Sequence, residues 1–376
     1  MTAPQVTGPA PGFRLSRSDM LFMGGAAVFT LAAAFTKGRG AVFPFAVSAV
    51  AIALLAALVG RAVDQLAERL GAGAVGVLQS ALGNLPELFI CVFALRSGLI
   101  NVVTSAIIGS ILGNLLLVLG LSFFVGGRRN GVLRFSESRA RMIMSLMILS
   151  VAAMLVPSLA SYVHAAAGVH EVSLARITAV VLLAVFALSI PASLRREEPP
   201  AEQTASASTD VRADTENTEP GEGRWPVYFA VAMLAVTGVL AAYVSDLFVS
   251  ALQPAIDSLH ITQTFAGLVV VAIAGNAVEN AVGVKLALQN QADHALSVIL
   301  NSPLQIALVL APALVLLSPV VGGPAFTLVF NPMLVSTVAV STIAVAFIVS
   351  DGESDWLEGA TMVGLYILIA ASFWWG

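Results

Sequence analysis

Eleven long apolar segments constrain this sequence more than any other feature. A helix needs about 20 mostly apolar residues to cross the roughly 30 Å hydrocarbon core of a bilayer. Segments of this kind lie at 20–36, 41–66, 74–96, 100–126, 140–157, 173–194, 226–252, 264–288, 293–318, 326–350 and 355–375. The sequence does not show the alternating segments of about ten residues that are typical of a transmembrane β-barrel. The pattern therefore predicts an all-α polytopic membrane protein with about eleven transmembrane helices.

The composition excludes several other classes of protein. Of 376 residues, 58% are hydrophobic and only 11% are charged, whereas soluble domains carry about 25% charged residues. The net charge of −4 provides no basic field that could hold nucleic acid. The single cysteine, Cys91, excludes an internal disulfide framework. We expect the lipid bilayer to surround the protein, and we expect no resident cofactor.

Charge also predicts the orientation and the limits of the domains. If the N-terminus lies inside, thirteen Lys and Arg residues fall on the inner side and four on the outer side, so the C-terminus is expected outside. Residues 1–19 are interpreted as a flexible tail and 20–40 as an extra transmembrane helix. Residues 195–224 contain eight acidic residues and four arginines. Such a segment cannot bury enough apolar area to fold alone; it is either a solvated linker or a cytosolic loop that attracts cations or regulates the protein.

The two halves of the chain, 41–194 and 225–376, resemble each other. Gly83–Glu87 reads Gly-Asn-Leu-Pro-Glu, and Gly275–Glu279, 192 residues later, reads Gly-Asn-Ala-Val-Glu. Each half has five predicted helices, and an odd number inverts the second copy relative to the first. The two Gly-Asn-x-x-Glu motifs are therefore expected to meet near the centre of the bilayer, as in transporters built from inverted repeats.

Glu87 and Glu279 are the residues most clearly suited to chemistry. An ionised carboxylate at this depth costs several kcal/mol, so its presence indicates a function. Two facing carboxylates can coordinate a hard divalent cation such as Ca²⁺. Without the ion, burial and like-charge repulsion favour the protonated carboxyl. Competition between metal and protons for the same oxygens is sufficient for cation/proton antiport.

Other residues near the motifs could assist. Gly83, Gly275 and Pro86 weaken regular helix and can free backbone carbonyls. Neutral oxygen atoms for an ion are offered by Asn84, Asn276, Ser110, Ser302, Gln305 and Asn114. Each of these polar residues could instead form ordinary hydrogen bonds between helices. Ser110 and Ser302 are also 192 residues apart.

Asp64 and Asp246 form a second acidic pair in the sequence. Each lies in the helix that precedes a Gly-Asn-x-x-Glu helix. They could relay protons or gate the two entrances of a transport pathway. They could equally be interfacial acids near the ends of helices.

At these residues the sequence resembles the calcium/cation antiporter superfamily, within it the cation/proton (Ca²⁺/H⁺) exchanger branch. The resemblance covers nearly the whole chain after residue 40, and 83–120 and 271–308 carry it best. It implies eleven helices, alternating access and a central Ca²⁺ site on Glu87 and Glu279. Asp64 and Asp246 match acidic positions of the family's long gating helices, and the acidic segment is similar to the one between the family's halves.

The sequence departs from the family pattern at three places. Leu85-Pro86 replaces Ala-Thr in the first motif, Asn280 replaces a histidine after the second, and Arg61 stands where glutamate is common. The central glutamates are retained, which favours divalent binding. The changes at Pro86 and Asn280 are expected to affect coordination, pH dependence or ion selectivity.

These observations predict a secondary active transporter, not an enzyme, that exchanges Ca²⁺ or a related cation for H⁺. The alternative on the same fold is a Na⁺-coupled or monovalent cation/proton exchanger. An intramembrane enzyme is a remote alternative. We expect a bacterial cytoplasmic membrane as the location, and the sequence leaves a homo-oligomer open.

Overall fold

The protein is a bundle of helices. The computed structural model describes residues 15–36, 39–67, 82–196 and 225–375. Its α-helices are α1 Arg17–Phe35, α2 Val42–Ala67, α3 Leu85–Arg96, α4 Ile100–Leu112, α5 Leu119–Asn130, α6 Glu137–Tyr162, α7 Glu171–Arg196, α8 Val227–Leu259, α9 Gln263–Phe265, α10 Ala272–Gly275, α11 Ala277–Leu288, α12 Ala292–Gln305, α13 Ala311–Val321, α14 Pro332–Ile348 and α15 Trp356–Trp374. Short 3-10 helices cover Ala166–His170 and Val349–Asp351.

The lengths of these helices confirm a polytopic membrane protein. Within the described residues, nine continuous helical stretches are long and apolar enough to cross a membrane. A tenth span is formed by Gln263–Gly275 and Glu279–Leu288, which meet at a bend of 63°. The remaining predicted span, 74–96, is represented by α3, and its residues 74–81 lie outside the described part. Each of the eleven predicted segments thus has a helical counterpart.

In the part of the chain that the structure describes, three π-helical segments interrupt the spans close to the predicted site residues. They cover Gly113–Val118, Ala266–Val271 and Ile306–Leu310. The first follows Ser110 and the third follows Ser302, so two of them lie at nearly equivalent places in the halves. Such bulges occur frequently at functional sites, because they change which side chains a helix turns toward its neighbours.

Small residues bring the site helices close together. A Cβ atom on Gly109 of α4 would lie 2.3 Å from the backbone oxygen of Leu268, and one on Gly267 would lie 2.1 Å from Ser105 Oγ. Both glycines therefore allow α4 to contact the π-helical segment 266–271 backbone to backbone, as small residues do between membrane helices. Aromatic rings join two further helices, since Phe45 of α2 stacks on Phe248 of α8 with ring centroids 4.8 Å apart.

Some boundaries differ from the prediction. The first helix begins at Arg17, three residues early, because Ser16 and Asp19 form a capping box. The segment predicted at 326–350 becomes helical only at Pro332, since the Asn331 side chain caps that helix by accepting from the Met333 N–H. Two two-residue strands, β1 Leu133–Arg134 and β2 Glu353–Ser354, pair antiparallel and are an exception to the all-α prediction. Residues 1–14 and 197–224, most of the predicted tail and acidic segment, lie outside the described residues.

Candidate functional site

The two Gly-Asn-x-x-Glu motifs adopt the same backbone geometry. Asn84 precedes α3 with φ −98° and ψ 21°, and Asn276 precedes α11 with φ −99° and ψ 20°. Both helices have 12 residues and carry their glutamate at the third position. The backbone N–H groups of a first turn have no partner within the helix and form its positive end. The sequence motif thus builds two matching helix starts that favour an anion in the first turn.

Pro86 fits this arrangement without disturbing it. It is the second residue of α3, where a proline is tolerated because the missing N–H would have no acceptor within the helix. The departure from the family pattern therefore preserves the break in the first half. Gly83 lies in the turn just before α3.

Glu87 is held by groups from both halves of the chain. Its side chain is buried, and its Oε1 accepts hydrogen bonds of 2.6 Å from Ser110 Oγ and 2.6 Å from Asn276 Nδ2. A Cβ atom on Gly275 would lie 2.4 Å from Glu87 Cγ. The absence of a side chain at Gly275 is therefore what allows Glu87 to occupy this position.

Asn276 is the centre of the hydrogen-bond network. Its Nδ2 also donates to Ser110 Oγ at 2.9 Å, and its Oδ1 accepts from Ser302 Oγ at 3.2 Å and from Asn114 Nδ2 at 3.1 Å. Asn114 Nδ2 further donates to the Ser110 carbonyl at 2.9 Å. Together with Glu87, the network joins three residues of the first half to two of the second.

Asn84 forms a second link between the halves. Its Nδ2 donates to Gln305 Oε1 at 3.2 Å. The structure thus brings together one hydrogen-bonded or contacting group and a separate hydrogen-bonded pair. The group is formed by Glu87, Asn276, Ser110, Ser302, Asn114 and Gly275. The pair is formed by Asn84 and Gln305.

Several oxygen atoms around this network are buried without a partner. Among the described side chains, Glu87 Oε2, Glu279 Oε2, Asn114 Oδ1 and Asn280 Oδ1 have no hydrogen bond. A buried polar atom left unpaired costs about 1–3 kcal/mol, so such atoms in a native fold need an explanation. All four are carboxylate or amide oxygens, the type of ligand that Ca²⁺ prefers.

The same region has few charged ligands. Within the described residues, no group of three or more His, Cys, Asp or Glu side chains is arranged to hold a metal ion. Glu279 is close enough to Glu87 and Asp64 to interact with both electrostatically. A hard cation bound between the two glutamates would therefore need neutral oxygens to complete its coordination.

Asp64 and Asp246 lie outside the hydrogen-bonded group. Both side chains are exposed. Asp64 lies in α2, and Asp246 lies in the middle of α8. Asp246 faces an open cleft of about 570 Å³ that is also lined by Tyr243 and by Arg96 at the end of α3. Their proposed gating or relay role stays a prediction.

One polar cluster was not predicted from the sequence. Asp19, only 6% exposed, forms an ion pair with Arg61 and accepts a hydrogen bond of 3.1 Å from Trp225 Nε1. Arg61 also lies over the Phe22 ring, 4.5 Å from its centroid. The capping pattern Ser16-x-x-Asp19 indicates a helix start here, which differs from the interpretation of residues 1–19 as a flexible tail. The cluster explains how Arg61 is accommodated in this chain.

Comparison with known proteins gives consistent matches over nearly the whole chain. A family model described as sodium/calcium exchanger protein matches residues 40–194 and 229–375. A Ca²⁺/H⁺ antiporter of Synechocystis sp. is 36% identical over 354 residues, which are 91% of this chain and 93% of that protein. The Ca²⁺/H⁺ antiporter ChaA of Bacillus subtilis is 35% identical, covering 88% of this chain and 91% of its own. The crystal structure of the Ca²⁺/H⁺ antiporter protein YfkE superposes with a TM-score of 0.76 at 28% identity, over 94% of this chain and 99% of that chain.

Proposed function

Because the chain belongs to the sodium/calcium exchanger protein family, we propose that it is a secondary active transporter that exchanges Ca²⁺ for H⁺ across a membrane. The antiporter relatives at 35–36% identity support Ca²⁺ and H⁺ as the two exchanged ions. The observation that carries the proposal is the position of Glu87 and Glu279 at two matching helix starts, each with a buried oxygen that has no hydrogen-bond partner. No catalytic residue is assigned, since the relatives are transporters.

The two glutamates can serve both ions in turn. Two neighbouring buried carboxylates are strongly disfavoured unless positive charge compensates them. One Ca²⁺ ion and two protons provide the same positive charge. The glutamate pair would therefore exchange one Ca²⁺ ion for two protons without a change in the total charge of the site. In this proposal the hydrogen bonds from Ser110 and Asn276 keep Glu87 Oε1 in place, and Oε2 faces the ion.

The direction of transport follows from the proposed location. The bacterial relatives support a bacterial cytoplasmic membrane. The distribution of Lys and Arg supports an inner N-terminus and an outer C-terminus. There, protons that enter down their gradient would drive Ca²⁺ out of the cell by alternating access.

The proposal is tested with purified protein in liposomes under an imposed pH gradient. Ca²⁺ and lumenal pH are followed together with two indicators. We expect opposed Ca²⁺ and H⁺ fluxes in the wild-type protein and none in Glu87→Gln or Glu279→Gln. A folded wild-type protein that moves no Ca²⁺ would refute Ca²⁺/H⁺ exchange. The same vesicles would then be tested with Na⁺, K⁺ and Mn²⁺ to identify the coupled cation.

A further inference from the structure

Asn280 is a polar residue that the internal repeat does not explain. At the offset of 192 residues, Asn280 corresponds to Leu88. The glutamates, the asparagines of the motifs and the two serines all recur in both halves. The amide hydrogen bond of Asn114 to Asn276 also has a counterpart, in the hydrogen bond between Asn84 and Gln305. Since a leucine stands at the place that corresponds to Asn280, the repeated fold does not require an amide at this position.

Asn280 and Asn114 meet in one place. Both line a small cavity with Ser110, Gly113 and Asn276. Its volume is about 10 Å³, close to what a single water molecule or a monatomic ion occupies. The cavity thus adjoins the network that holds Glu87, and Asn280 directly follows Glu279 in α11.

The oxygens of these amides are also without a hydrogen-bond partner. Asn114 is only 1% exposed, and its Nδ2 makes the hydrogen bonds to Ser110 and Asn276 while its Oδ1 makes none. Asn280 Oδ1 is likewise buried and unpaired. An amide oxygen kept in this state in a polar cavity is suited to accept a cation, because two carboxylates alone do not fill the six to eight oxygen positions of Ca²⁺.

We propose that Asn280 is a direct oxygen ligand of the transported divalent cation. This inference rests on the proposed function and adds a neutral ligand to the glutamate pair. Because an amide carries no charge, it strengthens coordination without altering the balance between two carboxylates and one divalent ion. The second half then contributes two neighbouring ligands, Glu279 and Asn280.

The test distinguishes a ligand from a structural residue by two measurements, the stability without Ca²⁺ and the response to Ca²⁺. Loss of a ligand should weaken only the second, whereas loss of a structural residue should lower the first. Asn280→Leu removes the oxygen and keeps a similar volume. Thermal unfolding without Ca²⁺ should be unchanged or occur at a higher temperature, because a buried unpaired acceptor is lost. The stabilisation that Ca²⁺ gives should shrink, and the Ca²⁺ concentration for half-maximal transport should rise by roughly 10-fold or more, since even indirect ligand contacts change metal affinity by about that factor.

Two further variants make the result specific. Asn280→Asp keeps an oxygen at the position and should retain the stabilisation by Ca²⁺. Asn301→Leu is the matched control, because its amide donates to Ser297 within the same helix, and it should bind Ca²⁺ like the wild type. The inference is overturned if Asn280→Leu lowers the unfolding temperature and leaves half-maximal Ca²⁺ unchanged, or if Asn280→Asp responds to Ca²⁺ no better than Asn280→Leu. If the wild-type protein itself neither transports Ca²⁺ nor is stabilised by it, the proposed function fails instead.

Discussion

Glu87 and Glu279 start from the same backbone and end in different surroundings. Each is the third residue of a 12-residue helix that follows an asparagine with nearly identical backbone angles. Glu87 is 5% exposed and its Oε1 is fixed by two short hydrogen bonds. Glu279 is partly exposed, although, like Glu87, it has a buried Oε2 atom without a hydrogen-bond partner. The repeat thus determines where both carboxylates lie, whereas side chains from both halves determine how firmly each is held.

The strongest test of this comparison removes each charge separately. Glu87→Gln and Glu279→Gln should both lower Ca²⁺/H⁺ exchange by roughly 100-fold or more, because losing one partner of a buried charged contact costs about 2–5 kcal/mol. Exchange is measured in liposomes, with unfolding temperature as a control for folding. If one variant kept most of its activity, the two glutamates would not act as a pair.

The second test moves Glu87 without changing it. Gly275→Ala places a Cβ atom 2.4 Å from Glu87 Cγ, so the glutamate must shift. We expect a stability loss of about 1–3 kcal/mol from overpacking, with a large loss of exchange. Gly364→Ala is the control, because nothing lies within 4 Å of the added atom. Wild-type exchange in Gly275→Ala would show that the tight contact with Glu87 is unimportant.

A third test compares the two serines that the repeat makes equivalent. Ser110 donates to the Glu87 carboxylate, but Ser302 donates to the Asn276 amide. A hydrogen bond to a charged group contributes about 1.5–3 kcal/mol and a neutral one about 0.5–1.5 kcal/mol. Ser110→Ala should therefore raise half-maximal Ca²⁺ for exchange by about 10- to 100-fold and Ser302→Ala only a few-fold. Equal effects would contradict the asymmetry described here.

The smallest effect on transport is expected away from both motifs. Asp19→Asn removes the charge that pairs with Arg61 and should destabilise the protein by about 1.5–3 kcal/mol, the value of a hydrogen bond to a charged group. Half-maximal Ca²⁺ should stay at the wild-type value, since Asp19 does not contact the network around Glu87. Thermal unfolding and the liposome assay measure the two quantities. A large change in half-maximal Ca²⁺ would show that the site extends to this cluster.

The membrane spans and the two helix breaks could be predicted from the sequence, and each prediction has a physical reason. Apolar length determines a membrane helix, and Gly-Asn before Glu gives the same break twice because the local sequence is nearly the same. The different surroundings of Glu87 and Glu279 could not be predicted from the sequence. The hydrogen bonds of Glu87 depend on how Ser110 and Asn276 meet in three dimensions. The π-helical segments had no recognised pattern, and the partner of Arg61 lies 42 residues earlier in the chain.

Glu87 rests against Gly275 and Asn276, and this contact joins the two copies of an internal duplication. Because of this contact, the effect of a change at residue 275 or 276 depends on residue 87 in the other half, so the two halves are not independent of each other. Effects of substitutions at residues in direct contact are not additive. A chimaera that combines halves of two relatives should therefore be active only when both halves fit at this contact, whatever the similarity elsewhere.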